Sequence, residues 1–144
     1  MESDISDSEF SVPGFTMFRS DREVDHREGG VLIYVRSDIN PVETNMKSNT
    51  ADQVWCKVKI MNGEDLLIGV CYRSSNEMLF GKDSDKLLCD LIREVRSQPL
   101  LLMGYFNLPD IDWSLCLGTS TAGQNFVDCT EEAFLTQHVT QSTR

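Results

Sequence analysis

The sequence lacks any long apolar run. No stretch of the 144 residues approaches the roughly 20 apolar residues that a membrane-spanning helix needs. The N-terminal segment, Met1 to Pro13, is polar and acidic, whereas a secretory signal peptide has a basic start followed by an apolar run. These absences predict an intracellular protein with no membrane partner, in which residues 1–13 form a flexible arm.

Patterns typical of metal clusters and disulfide frameworks are also missing. The five cysteines are odd in number, widely spaced and without a C-x-x-C pair, so we expect reduced, mostly buried thiols. The two histidines, His26 and His138, have no carboxylate at ligand spacing beside them. We expect both imidazoles to be structural or solvated.

Basic residues are scarce relative to acidic ones. Thirteen Lys and Arg residues against 23 Asp and Glu residues give a formal net charge of -10. A nucleic-acid-binding protein normally gathers a basic surface, so this balance opposes DNA as a partner. Metal-dependent nucleases nevertheless use acidic residues to hold a cation, provided that the carboxylates converge on one site. Charge alone leaves both alternatives open.

The length and the apolar content of 40% are sufficient for one domain with a real core. A helical stripe from Leu87 to Val95, preceded by a cap at Asp83 or Ser84, leads into an apolar run, which favours an α/β fold. A second helix is predicted over 124–134, with Phe134 on its buried face. Strands are predicted over 15–19, 31–35, 54–60, 66–72, 100–103 and 135–139, with a long polar loop over 36–52.

One hairpin has a strong local signal. Val54, Cys56, Val58 and Ile60 alternate with Trp55, Lys57 and Lys59, which predicts a half-buried strand with Trp55 on the outer face. The pair Asn62-Gly63 then supplies the positive φ angles of a tight turn into the next strand.

Polar residues follow a short apolar run near Asn107. Leu100 to Met103 is too short for a helix and predicts a buried strand, after which Gly104 allows the backbone to turn. The amide of Asn107 suits a phosphate oxygen or a metal-bound water. Tyr105 stands where phosphoryl chemistry usually places a carboxylate, and a phenol is a poor base at neutral pH.

Gly104-Tyr105-Phe106-Asn107 resembles the Gly-Asp-Phe-Asn signature of the endonuclease/exonuclease/phosphatase family, in the form found in non-LTR retrotransposon endonuclease domains. The resemblance implies one domain over 1–144: a partial four-layer α/β sandwich of two packed mixed sheets with outer helices, lacking N- and C-terminal strands. Four other blocks are similar, in order, to successive blocks of that domain: Phe15 to Arg22, Gly29 to Arg36, Val70 to Arg73 and Leu108 to Trp113.

The resemblance also implies Mg²⁺-dependent hydrolysis of DNA phosphodiesters. Asn107 matches the family's asparagine after its catalytic aspartate, and Tyr72 matches its phosphate-side tyrosine. Asn76 corresponds to the phosphate-binding polar residue that follows, and Tyr105 occupies the aspartate position. The nearby metal candidates are Asp110 and Asp112, for which the alternative is a pair of turn residues that hydrogen-bond the backbone.

Departures from the family pattern predict impaired catalysis. Tyr105 removes a carboxylate, and losing a general base typically costs on the order of 10²–10⁴ in rate. The family's metal-binding glutamate and its Ser-Asp-His strand have no matching positions in the sequence. One expectation is therefore a truncated, catalytically impaired retroelement endonuclease. The alternative is a non-enzymatic degenerate fragment or protein-interaction module, in which unpaired edges at Leu100 to Met103 or Val31 to Val35 favour a protein partner or self-association.

Overall fold

A computed structural model describes residues 6–21, 30–48, 52–73, 78–79 and 82–141. The described α-helices are α1 (Ser84–Val95) and α2 (Thr121–Glu132), and three short 3₁₀ helices lie at Asp7–Glu9, Ser37–Ile39 and Met61–Gly63. No described helix is long and apolar enough to cross a membrane. The described strands are β1 (Phe15–Asp21), β2 (Gly30–Arg36), β3 (Val42–Thr44), β4 (Asp52–Lys59), β5 (Asp65–Tyr72), β6 (Met78–Leu79), β7 (Lys82–Asp83), β8 (Leu100–Tyr105), β9 (Ile111–Asp112) and β10 (Leu117–Gly118).

These elements form two compact units. The first unit consists of residues 1–45, 52–72 and 98–104, and it holds β1 to β5 with nearly all of β8. The second unit consists of residues 46–51, 73–97 and 105–144, and it holds both helices with the short strands β6, β7, β9 and β10. Sheets and helices together confirm the predicted α/β class.

Two sheets make up the first unit. β1 and β2 pair antiparallel, and the other sheet has the order β3-β4-β5-β8. In that sheet β3 pairs antiparallel with β4, and β4 pairs antiparallel with β5. The Leu67 N–H donates to the Pro99 carbonyl and the Arg73 N–H donates to the Tyr105 carbonyl, both at 2.9 Å and at the same offset along the sequence. A constant offset means that β5 and β8 run parallel, so the four-stranded sheet is mixed.

The core of the first unit lies between its two sheets. Apolar side chains from β1 and β2 face those from β4 and β5, as expected for sheets that each present one apolar face. The buried members of this cluster are Phe18, Ile33, Val35, Val54, Cys56, Val58 and Ile68, with Val31, Leu66 and Val70 packed against them.

Trp55 contradicts the predicted alternation along β4. Its side chain is only 2% exposed, although the sequence pattern placed it on the outer face. The reason is its partner in register, Gly69 of β5. A side chain on Gly69 would occupy the space of the indole ring, so the missing side chain is what allows Trp55 to be buried.

The turn between β4 and β5 agrees with its sequence signal. Asn62 and Gly63 have φ angles of 73° and 75°. The loop is wider than a two-residue turn, since the Ile60 N–H donates to the Glu64 carbonyl at 2.9 Å.

β8 is not the buried strand that its apolar sequence predicted. It lies at the edge of its sheet, where Leu101 and Met103 are 43% and 40% exposed. The prediction was wrong because an apolar run reports the character of a strand but not what covers it.

In the second unit, α1 and α2 pack against each other. Leu88, Leu91, Ile92 and Val95 of the α1 stripe are buried as predicted, and Leu87 is half-buried. α2 begins earlier than the sequence suggested because Ser120 caps it through the Gly123 N–H at 2.9 Å, and it also ends earlier, at Glu132. Phe134 lies beyond the helix end with φ 56° and is 94% exposed, so its predicted burial was wrong.

Residues 135–139 form no strand, and the predicted loop over 36–52 contains β3.

The cysteines are free, as predicted. Cys56, Cys71, Cys89 and Cys129 are buried, while Cys116 is exposed. Burial raises the pKa of Cys71 to about 12, so this thiol stays protonated at neutral pH.

Candidate functional site

The candidate site begins where β5 and β8 end. Parallel strands finish at the same edge of a sheet, which places Tyr72 and Gly104 at one edge of the first unit. Gly104 has φ +155°, and a Cβ there would fall on the carbonyl oxygen of Cys71. Only glycine therefore permits β8 to approach β5 this closely at its end.

Arg73 holds the turn that follows β8. Its side chain is 9% exposed, and its Nη1 donates to the carbonyl oxygens of Phe106 at 3.3 Å and Asn107 at 3.2 Å. Nε donates to Asp85 Oδ1 at 2.8 Å, and Nη2 pairs with the same carboxylate. We call Arg73, Asp85, Phe106 and Asn107 the Arg73 clamp. It fixes the turn in which Asn107 has a left-handed φ of 54°.

Aromatic packing holds the same loop against α2. The rings of Phe106 and Phe126 lie 5.0 Å apart, and Trp113 meets Phe126 edge-on at 6.0 Å. Such tilted and edge-to-face pairs are favoured by the ring quadrupoles. The loop after β8 is thus anchored by the Arg73 clamp and by these three rings.

Asp110 supports the start of α2. Its Oδ2 accepts from the Ser120 N–H at 2.7 Å and from the Thr119 hydroxyl at 3.4 Å, and its carboxylate lies against Gly123. The hydrogen bond from the Ser120 N–H is the main reason why the pKa of Asp110 is below its usual value. The carboxylate therefore stabilises a helix start.

Asp112 closes a tight local turn. Its Oδ1 accepts from the Ser114 hydroxyl at 2.5 Å, from the Ser114 N–H at 2.9 Å and from the Leu115 N–H at 3.2 Å. The Ser114 hydroxyl is the largest cause of the lowered pKa of Asp112. These are the contacts of the turn-residue alternative, and the metal-binding role of Asp110 and Asp112 stays a prediction.

The predicted site residues fall into both units. Tyr105 and Asn107 lie with the Arg73 clamp in the second unit, and Tyr72 ends β5 in the first. Asn76 lies outside the described residues, as does His26. His138 is exposed in an irregular segment.

Sequence reasoning missed two charged residues, one in each unit. Asp52 is 2% exposed and lies in register opposite Tyr72, at the start of β4. In the sequence, Arg73 was noted only as the last residue of the family-like block Val70 to Arg73. It pairs with Asp85, and no characteristic sequence spacing identifies such a pair across a loop. The only available signal was the position of Arg73 directly after the strand.

The contacts at the β8 turn do not fit a magnesium site. Mg²⁺ prefers several oxygen ligands that include carboxylates. Here the guanidinium of Arg73 takes the carbonyl oxygens of Phe106 and Asn107 and places a positive charge beside them. Among the residues that the structure describes, no group of three or more His, Cys, Asp or Glu residues could hold a metal ion.

Comparisons with protein-family models, with curated proteins and with solved structures found no match to the chain.

Proposed function

We propose that this chain is a retroelement-derived, endonuclease-like domain whose Mg²⁺-dependent DNA cleavage is impaired. The observation that carries the proposal is the turn after β8. It presents the Gly-Tyr-Phe-Asn segment at a strand end, yet an arginine occupies its carbonyl oxygens and a tyrosine stands at the family's aspartate position.

The chemistry of the turn supports impairment. Phosphodiester hydrolysis needs a base for the attacking water and a cation for the developing charge on phosphate. Tyr105 supplies neither a carboxylate base nor a cation. Arg73 is the cation nearest in sequence to Tyr72, but the contacts of its guanidinium go to Asp85 and to two backbone carbonyls. The net charge of -10 further opposes the approach of DNA.

The second candidate is a non-enzymatic interaction module. The exposed Leu101 and Met103 on the edge strand β8 favour it, because uncovered apolar edges promote association.

The test is nicking of supercoiled plasmid with Mg²⁺. We expect no nicking by the natural chain or by Tyr105→Phe, a matched control that keeps the ring. Tyr105→Asp restores a carboxylate, and we expect it to raise the nicking rate. The increase would reach a factor of about 10²–10⁴ if the aspartate were the only catalytic group that the chain has lost. Asn107→Ala in the Tyr105→Asp background should abolish that gain.

Mg²⁺-dependent nicking by the natural chain that is lost in Asn107→Ala would contradict the impaired reading. If Tyr105→Asp remains inactive, the interaction module becomes the better account. Fluorescence anisotropy of a labelled duplex, measured at low and high salt, separates failure to bind DNA from failure to cleave it.

A further inference from the structure

The free edge of β8 has hydrogen-bonding groups directed away from β5. The carbonyls of Pro99 and Tyr105 accept from β5, and pairing alternates along a strand. The N–H and C=O groups of Leu100 and Leu102 therefore point to the opposite edge. Within the described part of the chain no strand pairs with that edge.

An apolar row continues the core onto β8. The parallel register places Leu101 beside Ile68 and Met103 beside Val70, on the face that packs against the other sheet. Ile68 is buried and Val70 is partly buried in that core, while Leu101 and Met103 are about two-fifths exposed. The core layer of the first unit thus reaches β8, where it is only partly covered.

Within the residues that the structure describes, the sheet of β1 and β2 also has an unpaired edge on the side where β8 lies. β2 lies over both β4 and β5, and β1 lies over β4. β2 is therefore the strand nearer to β8, and among the described strands it pairs only with β1. No strand in the described part of the chain closes the sandwich of the first unit between β2 and β8.

β8 itself carries no charge that would keep two copies apart. Residues 100–108 contain no Asp, Glu, Lys or Arg in a chain of net charge -10. Nor does β8 contain the lysine or proline with which edge strands commonly avoid pairing. A second copy meets no like-charge repulsion at this edge and offers an identical apolar row.

We propose that β8 pairs antiparallel with β8 of a second copy about a twofold axis. The pairing satisfies the outward groups of Leu100 and Leu102, and it continues the sheet-on-sheet core over Leu101 and Met103. The contact is isologous, since the same edge serves both partners. A six-residue strand buries less than the roughly 800 Å² per partner of a standard interface, so the dimer is concentration-dependent. This proposal does not depend on nuclease activity.

Sedimentation equilibrium of the full chain over a wide concentration range tests it. Met103→Lys places a charge in the row, and Met61→Lys is the matched control, because Met61 is 86% exposed in the turn between β4 and β5. We expect the natural chain and Met61→Lys to dimerise alike, and Met103→Lys to dimerise about tenfold or more weakly. A natural chain that is monomeric through the micromolar range, or equal behaviour of the two variants, overturns the proposal.

Hydrogen exchange of the natural chain gives an independent readout should Met103→Lys fail to fold. On dilution, the amides of Leu100 and Leu102 should exchange faster, while the amide of Leu101, which faces β5, stays protected. Exchange at Leu100 and Leu102 that does not change with concentration overturns the proposal, whatever the variants do.

Discussion

Gly104→Ala tests the close approach of β8 to β5. Gly104 has φ +155°, a region that is nearly exclusive to glycine, and occupying it with alanine costs about 1–3 kcal/mol. The new Cβ would also fall on the Cys71 carbonyl oxygen, with the Cys71 carbonyl carbon only 2.9 Å away. Relieving that overlap costs a further 1–3 kcal/mol or so. We therefore expect a loss of about 2–6 kcal/mol in the free energy of unfolding.

Gly14→Ala is the matched control. Gly14 also has a positive φ, +82°, but a Cβ there would meet nothing within 4 Å. Gly14→Ala should therefore lose only the free energy that alanine needs to adopt a left-handed backbone conformation, about 1–2 kcal/mol. The difference between the two variants therefore combines the steric contact with Cys71 and any extra backbone cost of φ +155° over φ +82°.

Urea unfolding followed by tryptophan fluorescence supplies both values, because Trp55 is buried in the same unit. Gly104→Ala should be the less stable variant by about 1 kcal/mol or more. Equal stability of Gly104→Ala and Gly14→Ala would refute the reasoning, because it would mean that β8 moves away from β5 at no cost.

Two further predictions concern charged groups. Arg73→Met removes a guanidinium that binds the partly buried Asp85 and two backbone carbonyls, so we expect a loss of about 2–4 kcal/mol in urea unfolding. Arg36→Met, which breaks an exposed ion pair, should change stability by less than about 1 kcal/mol. Asp110→Asn should cost about 1 kcal/mol at neutral pH because a charged acceptor at the start of α2 is lost. Since the folded-state pKa of Asp110 is lowered, its stabilisation is present above the usual carboxyl value and lost as pH falls through the folded-state pKa. Unfolding curves of Asp110→Asn and the natural chain should therefore converge in acid; a constant gap from neutral to acidic pH would contradict this.

Local patterns in the sequence were sufficient for the regular elements. The apolar stripe of α1 and the Asn62-Gly63 turn each depend on residues within a few positions of one another, and both predictions are confirmed. Trp55 could not be placed in this way, because its burial depends on Gly69 across the hairpin. The pattern of residues within one strand does not show where the neighbouring strand lacks a side chain.

The candidate site was predictable only in part. The strand end with Gly104, Tyr105 and Asn107 follows from an apolar run that stops at a glycine. The Arg73 clamp does not, because a guanidinium that binds backbone carbonyls on another segment leaves no spacing to recognise. Asp110 likewise acts on Ser120 through a loop whose path the sequence does not specify.

The proposal of impaired DNA cleavage and the proposal of dimerisation both depend on β8, but on different parts of it. Its end presents Tyr105, its odd-numbered side chains form the apolar row with Met103, and its even-numbered backbone groups form the free edge. Tyr105→Asp therefore changes the chemistry at the end without adding charge to the middle of the row, and Met103→Lys does the reverse. If both effects appear with these separate substitutions, cleavage and association are independent properties. If Met103→Lys also removes the nicking gained by Tyr105→Asp while the monomer stays folded, the turn after β8 requires the second copy to hold its active geometry.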